Sequence, residues 1–249
     1  MIPKVIYMCH KNLATIQQYS QNWKRLNPEY EIKLYDNAMC EQFLLQEFSP
    51  LHCEIFKFIR DGPIKADFWR LCILYKYGGL YVDADIEPLV PLREYIEEGV
   101  DFVTCLSAFR MEAFGGGSDN FNPHFIMAQQ NDAILKACII QYMHFYVRRK
   151  PYTYMGWTIV KIFNRFLPFI KNPNITTLNQ ANKKYQVIIE TSDRTDKFNY
   201  YCKYKNRRVF NCRYKEYDGN AHGFKSEQPL RKRVLARRRP VQRKVTMLL

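Results

Sequence analysis

The first half of the chain alternates between two apolar patterns. Short apolar runs bounded by polar or turn residues are typical of β-strands and occur at 4–9, 30–35, 80–82, 101–106 and 186–190. Apolar residues at three- and four-residue steps indicate helices at 13–26, 38–48, 63–77, 133–146 and 154–167. This alternation favours an α/β fold, with a single mixed, mostly parallel sheet flanked by helices.

The size and composition of the chain fit one large domain. It has 249 residues, of which 47% are apolar and 15% aromatic, which excludes collagen, coiled-coil and wholly disordered classes. No apolar run reaches the roughly 18 to 20 residues of a transmembrane helix. The N-terminus lacks the order of a secretory signal and reads as a first strand. We therefore expect a soluble, cytoplasmic protein with no transmembrane segment.

Positive charge is concentrated at the C-terminal end. The formal net charge is +14, and residues 228–249 hold eight basic residues and no acidic one. Such a segment cannot bury enough apolar surface to fold. We predict a folded domain at 1–227 and a disordered basic tail at 228–249. The tail is either a solvated extension or a segment attracted to an anionic membrane surface, nucleic acid or a nuclear-import receptor.

The eight cysteines show neither CxxC nor zinc-ribbon spacing, and several lie inside apolar runs. Buried cysteines of this kind usually behave as small apolar residues. We therefore expect eight free thiols in a reduced compartment.

Residues 61–89 contain the pattern with the clearest chemistry. Pro63 suits the first turn of a helix, and Gly78-Gly79 ends that helix before a short strand. Asp67 and Arg70 are three residues apart near the start of the helix, and so occupy neighbouring positions on its surface.

Asp83 and Asp85 follow the strand, at the end where open α/β sheets place their ligands. Two such carboxylates repel each other unless a cation neutralises them, and hard oxygen ligands select Mg²⁺ or Mn²⁺. The cation would stabilise a departing diphosphate. Asp-x-Asp alone also fits a solvated turn; its position after Lys-x-Asp-x-x-Arg and Gly-Gly-x-Tyr makes the motif specific.

Four stretches resemble the DXD sugar-transferase family, glycosyltransferase family 32: IPKVI at 2–6, NPEY at 27–30, KADFWR at 65–70 and YGGLYVDAD at 77–85. This family includes fungal α-mannosyltransferases and bacterial capsule enzymes, and its core is similar to that of the large clostridial glucosylating toxins. The resemblance covers about residues 1–90. It implies a GT-A fold, a Rossmann-like nucleotide-sugar-binding domain that holds Mn²⁺ or Mg²⁺. Since we expect no membrane anchor, we also expect a bacterial or viral-type member.

The resemblance also implies roles for individual residues. Asp67 and Arg70, with Tyr81, would bind the donor sugar, while Asp83 would contact the ribose and sugar and share the metal ion with Asp85. Asp83 and Asp85 would therefore be catalytic residues, because they hold the donor and the metal ion. The alternative for Asp67 and Arg70 is an ion pair within the helix.

Residues at the ends of the first two strands are candidates for binding the nucleotide. Ile6, Tyr7 and His10 belong to or follow the first strand, and Tyr35 ends the second. An aromatic ring there can stack on a base, although a buried structural tyrosine explains the pattern equally well.

A late segment carries further candidates. By the same resemblance, His222 would be a third metal ligand, and Lys225 and Ser226 would reach the diphosphate. Glu227 stands where many family members have Trp, which departs from the family pattern.

We therefore expect a metal-dependent hexosyltransferase that moves a sugar from a UDP- or GDP-linked donor, with UDP favoured, to a glycan or other hydroxyl acceptor. The family resemblance implies a retaining reaction. An inverting enzyme is the alternative and would use Asp119, in a glycine-rich stretch, as the catalytic carboxylate. A nucleic-acid-binding protein using the basic tail is the second alternative, and we favour it less.

Overall fold

The computed structural model describes residues 1–107, 120–172, 176–192 and 200–213. These residues belong to one structural unit, Met1–Tyr217. Several predicted features lie outside the described residues: Asp119, His222, Lys225, Ser226 and the basic tail. The roles given to them, and the domain boundary at 227, stay predictions.

The helices of the described residues lie mainly in the first two thirds of the chain. They are α1 Leu13–Leu26, α2 Asn37–Glu47, α3 Pro50–Phe58, α4 Gly62–Tyr77, α5 Ala133–Val147, α6 Tyr154–Trp157 and α7 Ile159–Phe166. Four of the five predicted helices are present as single helices, whereas the predicted helix at 154–167 is divided at Thr158 into α6 and α7. Helix α3 is an addition. It begins only three residues after α2, with Ser49 and Pro50 starting the new helix.

The strands form one sheet. They are β1 Val5–Cys9, β2 Glu31–Tyr35, β3 Gly79–Val82, β4 Glu87–Pro88, β5 Phe102–Ser107, β6 Asn120–Ala128, β7 Thr177–Gln180, β8 Lys183–Ser192, β9 Tyr200–Tyr204 and β10 Arg207–Asn211. Their order is β2-β1-β3-β6-β5-β8-β9-β10-β4, with β7 paired to β8. The predicted α/β fold, a mixed sheet flanked by helices, is confirmed.

The sheet is less parallel than predicted. β1 runs parallel to β2 and β3, and β5 runs parallel to β8, whereas the other pairings are antiparallel. The main reason is β6, which the sequence patterns did not predict and which lies antiparallel between β3 and β5. The strands after β8 add antiparallel hairpin pairings.

Apolar side chains cover both faces of the sheet. Tyr7 packs in one core cluster, beneath helices α2 to α5 and α7. Ile6 and Met8, its neighbours along β1, belong to the cluster on the opposite face, with Trp23 of α1. This alternation follows the pleat of a strand whose two faces are both buried.

The turn from α4 into β3 requires glycine. Gly78 and Gly79 have φ angles of 67° and 110°, which L side chains rarely adopt. A Cβ on Gly79 would also lie 2.7 Å from the Val5 carbonyl oxygen. The two glycines therefore let β3 pair with β1 directly after the helix.

The carboxyl ends of β1, β2 and β3 meet at one edge of the sheet because these strands are parallel. The segments after Cys9, Tyr35 and Val82 leave the sheet there, and the His10 amide donates to the Tyr35 carbonyl at 3.0 Å. This is the edge where open α/β sheets bind ligands. Separately, no helix among the described residues combines the length and apolar character of a membrane span.

Candidate active site

Arg70 is the centre of a buried polar cluster at this edge. Its side chain is 3% exposed, and Nη2 lies 3.0 Å from Asp83 Oδ1 and 3.4 Å from Asp67 Oδ1. Nη1 donates to the Pro123 carbonyl at 2.5 Å, and the guanidinium lies 4.2 Å from the centre of the Tyr81 ring. Arg70 therefore joins α4 to the end of β3, with a planar cation that can contact several oxygens at once.

Tyr81 supports the same carboxylate. Its hydroxyl donates to Asp83 Oδ1 at 2.7 Å, and Cys9 Sγ lies 3.6 Å from the same hydroxyl. Burial raises the pKa of Tyr81 well above its ordinary value. The phenol consequently stays protonated and keeps donating to Asp83.

Asp67 is nearly buried and has a structural partner as well as Arg70. Its Oδ2 accepts from the Ile159 amide at 3.0 Å, at the first residue of α7. Burial raises the pKa of Asp67 to about 6, although Arg70 acts in the opposite direction. The predicted ion pair with Arg70 is present, and the contact with α7 is one that the sequence did not indicate.

Asp83 and Asp85 belong to a tight turn that follows β3. The Asp83 amide donates to the His124 carbonyl at 2.9 Å, and the Ile86 amide donates to the Asp83 carbonyl at 3.2 Å. Trp23 Nε1 donates to the Ile86 carbonyl at 3.0 Å and fixes the end of the turn. Asp83 and Asp85 are partly exposed, whereas the intervening Ala84 is buried. The motif is therefore held at the surface by buried neighbours.

The carboxylates fit a hard divalent cation such as Mn²⁺ or Mg²⁺. Asp83 Oδ1 accepts from Tyr81 and contacts Arg70, and Asp85 follows two residues later in the same turn. Within the described ranges, neither aspartate belongs to a cluster of three or more metal-binding side chains. The remaining ligands of such an ion would be diphosphate oxygens or water.

The four predicted nucleotide-binding positions of the first two strands fall into two groups. Ile6 is fully buried and Tyr7 is 2% exposed, so neither side chain is available for stacking on a base. His10 and Tyr35 are partly exposed at the carboxyl edge. Tyr7 supports this edge from within the core, where its ring lies 6.4 Å from that of Tyr35.

Tyr154 lies near this cluster, and the sequence analysis did not single it out. It belongs to the short helix α6 and is partly buried. Burial raises the pKa of Tyr154, and the negative charges of Asp67 and Asp83 raise it further. Its phenol therefore lies within electrostatic range of the cluster, although no local motif marks the residue.

Comparison with known proteins shows which family this region is similar to. Residues 14–101 match the family model described as the glycosyltransferase sugar-binding region containing the DXD motif. The resemblance to DXD-motif sugar transferases is confirmed. The DXD region includes α4, β3 and the turn that carries Asp83 and Asp85, and so contains most of the cluster around Arg70.

Two curated relatives share part of the DXD region. Initiation-specific alpha-1,6-mannosyltransferase of Candida albicans is 32% identical over 81 residues, 32% of this chain and 21% of that protein. Mannosyl phosphorylinositol ceramide synthase of Saccharomyces cerevisiae is 27% identical over 107 residues, 39% of this chain and 28% of that protein. The chain thus matches less than a third of the length of either relative.

A solved structure titled PaToxG Glycosyltransferase aligns with 67% of this chain and 70% of its own, at 14% identity and a TM-score of 0.49.

Proposed function

We propose that this chain is a GT-A-type, metal-dependent glycosyltransferase that moves a hexose from a nucleotide-sugar donor to a hydroxyl of a glycan. The observation that supports this best is the buried Arg70 between Asp67 and Asp83, next to the partly exposed Asp85. A solvated surface turn would not require a buried arginine. Mannose is the first sugar to test, since both relatives described above are named for mannosyl transfer.

The residues of the cluster have separate tasks in this proposal. Arg70 and Asp67, which we predicted to bind the donor hydroxyl groups, are buried. In this proposal they position the donor sugar through Asp83, whose carboxylate Arg70 contacts at 3.0 Å. Tyr81 and Arg70 fix one oxygen of Asp83, so that the other can receive a ribose or sugar hydroxyl. The precise orientation of a donor lowers the barrier to transfer by removing rotational and translational freedom beforehand.

Asp85 would hold the cation, with Asp83 as a second ligand. When bound, a divalent ion stabilises the negative charge that develops on the departing diphosphate. The turn that holds Asp85 is fixed at both ends by Trp23 and by the His124 carbonyl. This rigid support holds the Asp85 carboxylate in position before a metal ion binds.

We further propose that transfer occurs with retention of the donor configuration, as the family resemblance implies. Tyr154, near Asp67 and Asp83, would line the acceptor side and donate hydrogen bonds without needing to ionise. An inverting reaction would instead need a carboxylate base such as Asp119. A cytoplasmic location and membrane attraction through the basic tail are proposals from sequence alone.

The direct test is a transfer assay with UDP- and GDP-linked mannose, glucose and galactose and with simple glycan acceptors. Wild-type protein is assayed with Mn²⁺, with Mg²⁺ and with a chelator, alongside Asp85→Asn and the exposed control Glu54→Gln. We expect metal-dependent release of nucleoside diphosphate and glycan product, at least about 100-fold reduced in Asp85→Asn and unchanged in the control. Metal-independent transfer, or equal transfer by both variants, would overturn the proposal.

The stereochemical part has its own measurement. NMR of the first product formed from an α-linked donor should show an α-linked sugar. A β-linked first product would establish inversion, and Asp119→Asn would then be the variant to compare.

A further inference from the structure

A second cluster of metal-binding side chains lies within the sheet, apart from the carboxylates of the DXD turn. Cys105 of β5, His124 of β6 and Cys202 of β9 are buried, and their ligand atoms lie within 4.8 Å of one another. Cys212, just after β10, is half-buried, with its Sγ 3.8 Å from Cys202 Sγ. We propose that these four residues bind one zinc ion.

The distances from Cys202 to the other three side chains fit a tetrahedral zinc site. Its Sγ lies 4.0 Å from Cys105 Sγ, 3.8 Å from Cys212 Sγ and 3.5 Å from His124 Nε2. In a tetrahedral zinc site, bond lengths of about 2.3 Å to sulfur and 2.0 Å to nitrogen set ligand separations of about 3.8 Å for two sulfurs and 3.5 Å for sulfur and nitrogen. The three separations from Cys202, out of the six in a four-ligand site, lie within about 0.2 Å of these edges.

The ligand set selects zinc over the ions expected at Asp85. Thiolates and imidazole are softer ligands than carboxylates, and three cysteines with one histidine are a common structural zinc set. Binding would release one proton from each coordinating thiol and would leave His124 neutral. Mn²⁺ and Mg²⁺ prefer oxygen ligands, so the two sites would take different metals.

Glu190 of β8 gives the histidine a second partner. One of its carboxylate oxygens, a ring nitrogen of His124 and Cys212 Sγ also lie within 4.8 Å of one another. Asn122 Nδ2 donates to Glu190 Oε2 at 2.9 Å and holds that carboxylate in place. A nearby carboxylate is a common support of a histidine that binds zinc.

The ion would join parts of the chain that are distant in sequence. Cys105 and His124 lie on adjacent strands, whereas Cys202 and Cys212 come from the late hairpin. The backbone carbonyl of His124 also accepts from the Asp83 amide at 2.9 Å. Zinc would therefore stabilise β6 where that strand supports the DXD turn.

A disulfide explains the cluster less well. Cys202 Sγ is nearly equidistant from two other sulfurs, and a bond to one would leave the second sulfur and His124 without a shared partner. A single ion engages all four side chains together. All eight cysteines are free thiols in the structure, which keeps the ligands available.

The experiment is elemental analysis of full-length protein expressed with added zinc and then gel-filtered. We expect about one zinc per chain in the wild type, falling below about 0.1 in Cys202→Ser. The matched control is Cys138→Ser, because Cys138 is equally buried but lies on α5, outside the cluster. That variant should keep its zinc.

A spectroscopic measurement on the wild type covers the case in which Cys202→Ser fails to fold. Co²⁺ replacing zinc should show thiolate-to-metal charge-transfer absorption, and added Zn²⁺ should abolish it. A wild type with less than about 0.1 zinc per chain and no such band, or a Cys202 disulfide found by mass spectrometry, would overturn the proposal. Neither readout depends on transferase activity, so this test is separate from that of the proposed function.

Discussion

Arg70 Nη2 and Asp83 Oδ1 lie 3.0 Å apart. This contact joins helix α4 to the turn that follows β3. The arginine is buried and the aspartate side chain is 31% exposed, so the pair extends from the core to the surface. A buried charge pair of this kind is costly unless every polar atom is engaged. Here Pro123, Tyr81 and Asp67 contribute the other contacts.

The first prediction concerns the stability that depends on Arg70. Arg70→Ala should lower the free energy of unfolding by about 3 kcal/mol or more, because Asp67 would lose its buried cationic partner. Arg93→Ala is the control, since Arg93 pairs with Glu29 on the surface at 3.5 Å and should cost less than about 1 kcal/mol. Urea denaturation measures both. Similar losses in the two variants would contradict the central role of Arg70.

The second prediction concerns the hydroxyl of Tyr81. Tyr81→Phe should reduce kcat/KM for transfer by about 10- to 100-fold, because a hydrogen bond to a carboxylate such as that of Asp83 is worth about 1.5 to 3 kcal/mol. Tyr95→Phe is the control. Tyr95 is buried in the core cluster on the other face of the sheet, and its hydroxyl has no hydrogen-bond partner among the described residues. Removing that hydroxyl should leave activity unchanged; equal losses in both variants would show that Tyr81 acts only through packing.

The third prediction concerns pH and Asp67. Burial raises the pKa of Asp67 from 3.8 to about 6 in the folded protein. The folded state then holds its proton more tightly than the unfolded state, so this group lowers the free energy of unfolding as the pH rises between these values. Asp67→Asn lacks this contribution, and its amide oxygen can still accept from Ile159.

The measurement is urea denaturation of the wild type and Asp67→Asn at about pH 4 and about pH 7. The stability of the wild type relative to the variant should fall by on the order of 2 to 3 kcal/mol between the two conditions. A relative stability that stays constant or rises with pH would mean that Asp67 is ionised throughout the range.

The fourth prediction concerns Tyr154. Tyr154→Phe should raise the KM for the acceptor by about tenfold through loss of one hydrogen bond, with the KM for the donor unchanged. Steady-state kinetics with each substrate varied separately measure this. A change confined to the KM for the donor would show that Tyr154 contacts the donor and not the acceptor.

The local parts of this architecture could be predicted from sequence. Pro63 and the Gly78-Gly79 pair mark the ends of α4, and the spacing of Asp67 and Arg70 brings their side chains together within that helix. Asp83 follows β3 closely enough that its position at the carboxyl edge is determined by short-range pattern. Each of these relationships is between residues that are close together in the sequence.

The missing parts depend on contacts between distant segments. Strand β6 begins with Asn120-Phe121-Asn122-Pro123, where a proline and two amides obscure the apolar alternation. Its burial comes from β3 and β5 on either side. For the same reason, the contacts of Arg70 with Pro123 and of Asp67 with Ile159 could not be predicted.

The thiol cluster shows the same limitation. Cys105 and Cys202 lie on strands β5 and β9, so their separation in sequence resembles no compact metal-binding motif. The sheet order places their strands on either side of β8, so the two residues become neighbours only in the folded sheet. Only the fold reveals that they share a neighbour in His124.

Thermal denaturation with nucleotide sugars tests the central claim most directly. The wild type, Asp85→Asn and Glu54→Gln are compared with each donor in the presence of Mn²⁺ or a chelator. A donor that binds only the folded state should raise the melting temperature of the wild type and the control when Mn²⁺ is present, and have no effect on Asp85→Asn. An equal rise in all three proteins, or a rise that persists with the chelator, would contradict a donor site organised around Asp85.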